Sequence, residues 1–476
     1  MKIPTIIPKP LKVELREAAP ELKFDGKFKI CPDSNCREIA ATLAAVIKPA
    51  VDANKSIELC LDSKLQDLGD EGYRMVVSDS GFKLTAFALP GMFYATRTLL
   101  QLLPPEFEAG WIKEFILPQM KIEDRPRFAW RGFMLDSARH FQSVGMIKKL
   151  LDRMAGLKLN RLHWHFMDNE ACRIQFEDFP ELAEDARNAD SPGIYSPREV
   201  RDIIDYAAER FITVYPEVEV PGHSRATLSV YPELRCPVAE MDKQFREYCL
   251  ANPASLNFLK QVISRTVEIF KPRYLHIGGD EARDLHWRHC PHCQEQLAAL
   301  NLDSFIQYQK HFMREVTAYV KKIVPECIEW FDHLELGIPE RQIVQAWHED
   351  EAEAALAAGH SIICSEHEFV YFDYPQNEAE PMPFDWMLML NLETVYQFEP
   401  VPAGTTNPEL VLGGEACIWT ELIPEDKVFY KTFPRLFAFA ETVWSSSEGR
   451  NYAEFLPRVK TLCQRFDVLG LDYCKI

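Results

Sequence analysis

Asp280 and Glu281 are two adjacent carboxylates at the end of the stretch YLHIGGDE, residues 274 to 281. The apolar Tyr274, Leu275 and Ile277 read as a short buried strand, on which neighbouring side chains point to opposite faces. Two acids behind a glycine pair therefore suggest a strand end opening onto a cleft, where Gly278 and Gly279 let backbone or ligand approach closely. A solvated turn uses the same residue types, so this stretch alone leaves both readings open. Polar and aromatic residues also gather at the ends of other strand-like runs. One ends in Asp136, Arg139 and His140, a second in His163, His165 and Asp168, and a third in Glu217, Glu219 and His223. Later runs end in Trp330 and Asp332, Trp347 and His348, Tyr371 and Asp373, and Trp419 and Glu421. Carboxylates, one Arg and several Trp outline a carbohydrate site. The apolar face of a pyranose stacks on indole, and its hydroxyls bond to acids and guanidinium.

The HxH at His163 and His165 has a rival reading, because two histidines on one face of a barrel strand can hold a metal in a hydrolase. His223 and Asp280 could then serve as further ligands, but the tryptophans would have no role. Cys290 and Cys293, in HWRHCPHCQEQL, are the one CxxC spacing. No second CxxC or HxxxH follows at a suitable distance, so the pair reads as a loop feature and not a metal site. The thirteen cysteines are an odd number, mostly set in apolar runs, which suits reduced buried thiols better than a disulfide framework.

These residues need elements to position them. The 476 residues exceed one small domain and suffice for a large barrel with a companion. The first ~125 residues mix helix and strand patterns, as in a small α+β unit. From Arg131 onward strand and helix patterns alternate, the signature of βα units. Eight strands are expected: Gly132 to Ser137, Arg161 to Phe166, Thr213 to Val220, Tyr274 to Gly278, Cys327 to Phe331, Ile343 to Trp347, Ser361 to Cys364 and Val411 to Ile418. Helices are expected between them, including Pro197 to Arg210 with Ser196 as N-cap. The fold class is α/β, a (β/α)8 TIM barrel over residues 127–476 preceded by a small α+β domain over residues 1–126. In such a barrel chemistry sits at the C-terminal strand ends, where the acids and tryptophans gather.

The segments RGFMLDSARHF, LNRLHWHFMD, YPEVEVPGH, LHIGGDE and GGEACIWTE, in this order, resemble the signature segments of glycoside hydrolase family 20, the β-N-acetylhexosaminidases. Five segments in order are more specific than any one of them. The unit before residue 126 is also similar to the non-catalytic domain that precedes that family's barrel. The resemblance implies an exo-acting retaining enzyme that removes terminal β-linked GlcNAc or GalNAc by substrate assistance, without metal or organic cofactor. The substrate's own acetamido oxygen would attack the anomeric carbon and form an oxazolinium ion.

By this resemblance Glu281 is the general acid and Asp280 orients the acetamido N–H. Tyr371 bonds the acetamido oxygen, and Asp168 and His223 form a polar relay beside Glu281. Arg139 would hold O3 and O4, Glu421 O4 or O6, and Asp373 O6. Trp330, Trp347 and Trp419 wall in the acetamido methyl and the sugar's apolar face, and Trp386 falls on the aglycone side. A general acid at Glu281 calls for a raised pKa from partial burial and nearby negative charge. The sequence departs from the family pattern at Cys172, where an aromatic usually precedes the Arg, and at Glu219, often Asp.

The expected partner is a glycan with a terminal N-acetylhexosamine, with homo-oligomerisation left open. A net charge of −19 disfavours nucleic acid and anionic membranes. No signal-peptide core and no run of ~18 apolar residues is present, so a cytoplasmic location is expected unless a leader was trimmed. A metal-dependent barrel hydrolase and a catalytically inactive carbohydrate-binding barrel remain as alternatives.

Overall fold

The computed structural model of the chain describes residues 5–16, 20–239, 245–331 and 342–476. Asp332 lies outside the described residues.

Eight strands precede the barrel: β1 (Lys12–Leu15), β2 (Leu22–Phe24), β3 (Phe28–Pro32), β4 (Lys55–Leu61), β5 (Tyr73–Ser78), β6 (Gly81–Ala86), β7 (Phe115–Leu117) and β8 (Met120–Asp124). Six of them form a mixed sheet in the order β1-β8-β5-β6-β4-β3, and β2 pairs with β7. In β5 the alternate residues Tyr73, Met75 and Val77 are buried, the period-2 pattern of a sheet with one covered face. Two helices, Arg37–Ile47 and Leu89–Leu102, add buried apolar residues to the same core.

The second unit is a closed barrel of β9 (Trp130–Asp136), β10 (Arg161–His165), β11 (Thr213–Val220), β12 (Tyr274–Gly278), β13 (Glu326–Trp330), β14 (Ile343–Ala346), β15 (Ser361–Cys364) and β16 (Val411–Ile418). All eight run parallel, and β16 closes on β9. The eight expected strands are therefore the observed ones. Four have the expected bounds and the others differ by one or two residues, where the chain turns out of the barrel. The strands are buried along nearly their whole length, so apolar residues dominate them and the His and Glu side chains they also carry are buried with the rest.

Local chemistry sets the intervening helices. Ser196 caps Pro197–Ala208 in a reciprocal capping box with Glu199. In Val144–Gly156 the buried Met146, Ile147, Leu150, Leu151 and Met154 recur at helical spacing and face the barrel layer.

The first unit braces the barrel at the N-terminal strand ends. Lys158, just before β10, donates to Asp124 Oδ2 at 2.8 Å, and neither side chain is exposed. Asp124 also accepts from Tyr73 Oη at 2.7 Å and Trp444 Nε1 at 2.9 Å. Arg131 near the start of β9 pairs with Glu71 at 2.6 Å. Lys158, Asp124 and Arg131 are buried with their charges paired, the condition under which burial is tolerated. The opposite, C-terminal face is left for loops. Among the described residues no helix is long and apolar enough to cross a membrane.

Candidate active site

At the C-terminal strand ends lies a cavity of about 420 Å³. Ten of the eleven site residues expected from the sequence line it: Arg139, His223, Asp280, Glu281, Trp330, Trp347, Tyr371, Asp373, Trp419 and Glu421. They come from the ends of seven of the eight strands, which is how a barrel converges distant residues on one point. Asp168, the eleventh, lies directly behind the wall, 3% exposed, with Oδ1 3.1 Å from His223 Nδ1. Trp386 also lines the cavity at its mouth, stacked on Phe384 at 5.2 Å. A smaller adjoining hollow of about 190 Å³ shares Asp373, Trp386, Trp419 and Glu421.

The approach to the acid pair needs unusual backbone. Gly278 and Gly279 have φ of 61° and 111°, which glycine adopts freely. A Cβ at Gly278 would stand 2.3 Å from Glu219 Oε2, so the glycine admits the neighbouring strand's carboxylate. His223 and Glu281 are not glycine, yet they have φ of 49° and 47°. Backbone strain of this kind collects at functional sites. The two residues face each other, His223 Nε2 standing 3.5 Å from Glu281 Oε2 and 3.8 Å from Asp280 Oδ2.

Arg139 sits at the base, its side chain 9% exposed, among Asp168 at 2.8 Å, Asp136 at 3.1 Å, Glu170 at 3.3 Å and Glu421 at 3.6 Å. Its guanidinium lies 5.1 Å from the Trp419 ring. Trp419 in turn lies 6.2 Å from Trp330 and 6.1 Å from Tyr371, so the aromatic wall is continuous. Trp330 is fixed by Nε1 donating to Glu217 Oε1 at 2.9 Å. The buried Trp347 Nε1, Asp280 Oδ1 and Asp373 Oδ1 have no hydrogen-bond partner among the described residues. Buried polar atoms of this kind are costly unless a ligand satisfies them.

The expected electrostatics of the acid pair are corrected here. Glu281 is pulled below the usual carboxylate range, first by its hydrogen bond to His223, against a burial effect that would raise it. Its side chain is 62% exposed, too wet for burial to dominate. Asp280 is the raised member: burial pushes it well up, His223 opposes, and Glu219, Glu217 and Glu281 add like charge. Burial and Glu421 likewise push Asp373 up to about 8.

A second correction concerns His163, His165, Glu217 and Glu219, read from the sequence as part of the mouth. None lines the cavity. Side chains two residues apart on a strand share a face, and in a barrel that face is the packed interior. His163 lies between Glu217 Oε2 at 3.0 Å and Glu415 Oε1 at 2.9 Å. His165 lies between Asp136 Oδ1 at 3.1 Å and Glu219 Oε1 at 2.8 Å. With both ring nitrogens of each histidine facing carboxylates, the HxH reads as a buried ion-pair layer under the cavity. Burial lowers His163, but Glu217 and Glu415 outweigh it and hold the imidazole up to about 9, charged near neutral pH. Glu415 was missed as a member of this layer; the signal was an acid inside the apolar run VLGGEACI of β16.

Of the departures from the family pattern, Cys172 is 1% exposed and packs beside Met167. Next to it Arg173 donates to the carbonyls of Ser137 and Ala138 at 2.8 and 2.7 Å, bracing the turn that carries Arg139. Glu219 reaches His165, and burial with Glu217 pushes it up to about 7. His367 and Tyr374 also line the cavity, joined at 2.8 Å, and sequence reading missed them. Their place in EHEFVYFDY, after β15 and flanking Tyr371, was the available signal. Cys290 and Cys293 begin a helix, Pro291–Ala299, and do not form a simple loop.

Comparison with known proteins agrees with this geometry. The description "Glycosyl hydrolase family 20, catalytic domain" matches residues 128–447, and "Glycosyl hydrolase family 20, domain 2" matches residues 3–125. A β-hexosaminidase of Porphyromonas gingivalis is 33% identical over 497 aligned residues, covering 98% of this chain. The chain spans only 64% of that relative's length. The crystal structure of a family 20 exo-β-N-acetylglucosaminidase from Vibrio harveyi, in complex with N-acetylglucosamine, superposes with a TM-score of 0.89 at 27% identity, covering 99% of this chain and 78% of that one. The family 20 β-N-acetylhexosaminidase of Streptomyces coelicolor A3(2) gives 0.85 at 28% identity, covering 100% and 98%. The barrel, its companion unit and the matched residues together make this chain a member of glycosyl hydrolase family 20, a family of glycoside hydrolases.

Proposed function

We propose that this chain is an exo-acting, retaining β-N-acetylhexosaminidase that releases terminal β-linked GlcNAc or GalNAc by substrate assistance, with residues 1–126 as a non-catalytic domain and 127–476 as the catalytic barrel. The observation that carries the reading is Asp280, whose buried Oδ1 has no hydrogen-bond partner among the described residues, beside Glu281 in a tryptophan-walled cavity. An acetamido N–H donating to Asp280 would satisfy that oxygen. Tyr371 Oη would take the acetamido oxygen and hold it toward the anomeric carbon, a positioning effect that reaches about 7 kcal/mol at best. Trp330, Trp347 and Trp419 would enclose the methyl and the sugar's lower face, and Arg139, Asp373 and Glu421 would bind its outer hydroxyls.

Glu281 then protonates the leaving oxygen as the acetamido oxygen closes on C1. It later takes a proton from the water that opens the oxazolinium ion, with retention. As the side chains stand, the proton favours Asp280. A bound sugar covers Glu281 and gives ionised Asp280 a hydrogen bond, and both effects move the proton toward Glu281. Asp168 and His223 act as the relay that sets this balance.

The test is release from p-nitrophenyl β-GlcNAc and β-GalNAc, with and without a thiazoline mimic of the oxazolinium ion. Cleavage of one or both, blocked by the thiazoline, is expected. Equal cleavage of glucosides lacking the N-acetyl group, or indifference to the thiazoline, would sink the mechanism.

A further inference from the structure

Four cysteines from three chain segments converge beside the loops that carry His223 and Glu281. Cys236 follows the short helical turn Pro232–Leu234, and the N–H of Cys249 bonds back to Leu234 O at 3.0 Å. Cys290 ends the helix Leu285–His289, and Cys293 lies in the first turn of Pro291–Ala299. All four side chains are buried, none more than 2% exposed, while His289 and His292 beside them face solvent. Their four sulfurs lie within 4.8 Å of one another, with Cys236 to Cys293 at 3.9 Å and Cys249 to Cys293 at 3.7 Å.

A disulfide brings two sulfurs to roughly 2.0 Å, so these are not bonded pairs. A tetrahedral zinc with Zn–S bonds of about 2.3 Å sets its sulfurs about 3.8 Å apart, which the separations of Cys293 from Cys236 and Cys249 match. We propose that Cys236, Cys249, Cys290 and Cys293 form a closed structural zinc site that ties the loop after β11 to the segment after β12. The CxxC had no downstream partner in the sequence because its partners lie upstream, at a spacing of twelve intervening residues.

Four protein sulfurs leave no open position for water or substrate, so the metal takes no part in the sugar chemistry. Its work is mechanical. Beside it Trp287 Nε1 donates to Tyr248 O at 2.8 Å, and Arg283, two residues beyond Glu281, donates to Glu247 Oε1 at 3.0 Å. The site thus clamps the backbone just beyond Glu281 against the segment after β11, which also carries His223.

The test is elemental analysis of the intact chain purified without added metal, together with zinc K-edge absorption. Close to one zinc per chain is expected, with a shell of four sulfurs at about 2.3 Å. Cys290→Ser and Cys293→Ser should each lose it and melt at lower temperature than the parent. If those variants do not fold, the absorption spectrum of the parent decides alone. A chain without stoichiometric zinc, an iron-loaded site, a shell containing nitrogen or oxygen, or a mass two daltons low from a disulfide within the four would each overturn the proposal.

Discussion

Nε2 of His223 stands 3.5 Å from Glu281 Oε2, and Asp168 faces the other ring nitrogen at 3.1 Å. The chain Asp168, His223, Glu281 makes the histidine a charged neighbour of the acid pair, since burial's tendency to neutralise it is outweighed by Asp168. One ring therefore acts on both acids, lowering Glu281 and opposing the burial that raises Asp280.

Replacing His223 by Phe removes the hydrogen bond that lowers Glu281 and the charge that opposes the rise of Asp280. Both acids should then titrate higher. In the proposed mechanism kcat/KM reports the free enzyme, where Asp280 holds its proton more tightly than Glu281, so the acid limb carries the lower, Glu281 ionisation and the alkaline limb the higher, Asp280 one. Both limbs should move to higher pH in the variant. Unmoved limbs in a folded variant would remove His223 from the relay.

Asp280→Asn and Glu281→Gln should each lower kcat on an unactivated β-linked disaccharide by on the order of 10²- to 10⁴-fold. Thermal melts should stay close to the parent, because both side chains face the cavity and not the core. Full turnover in either variant contradicts the assignment. A folded Glu281→Gln that keeps more activity on p-nitrophenyl glycosides fits it, since that leaving group needs little protonation.

Tyr371→Phe removes one hydroxyl from an 8% exposed ring held against β16. Loss of the proposed acetamido clamp should cost on the order of 10² in kcat with little change in KM, since a misplaced nucleophile reacts slowly yet binds. An effect confined to KM would assign Tyr371 to binding alone.

Lys158→Met leaves Asp124 buried without its cation. Stability to urea should fall by about 3–5 kcal/mol while kcat is kept, because the pair lies at the end of the barrel away from the cavity. A loss of activity without loss of stability would show that the two units communicate with the site.

His163 titrates near 9, well above its unfolded value of about 6.5. A raised histidine contributes stability that is fully present below about pH 6.5 and is lost as pH rises through about 9. Urea melts at pH 6 and pH 9 should differ by on the order of 3 kcal/mol, with the alkaline sample weaker. Its partner Glu217 is held low, since His276 and His163 outweigh burial, so its share is lost only in strong acid. Equal stability at both values would mean that His163 is neutral in its carboxylate layer.

The eight barrel strands were legible because burial on both faces makes them short, largely apolar segments that alternate with helical patterns, even where His or Glu interrupts them. The rule that chemistry sits at C-terminal strand ends then located Arg139, His223, Asp280, Glu281, Trp330, Trp347 and Trp419, each at or within a few residues of a strand end, and Tyr371 on the longer segment that follows β15. Only the tertiary structure decided what lies between strands. Whether His165 faces solvent or Glu219, 54 residues away, depends on how the barrel closes, and hydrophobic periodicity carries no record of that. The same holds for the sign of the Glu281 shift, set by one contact with His223 against its own exposure. It holds equally for the upstream cysteines that meet Cys290 and Cys293, because a spacing motif describes neighbours along the chain and a folded site collects neighbours in space.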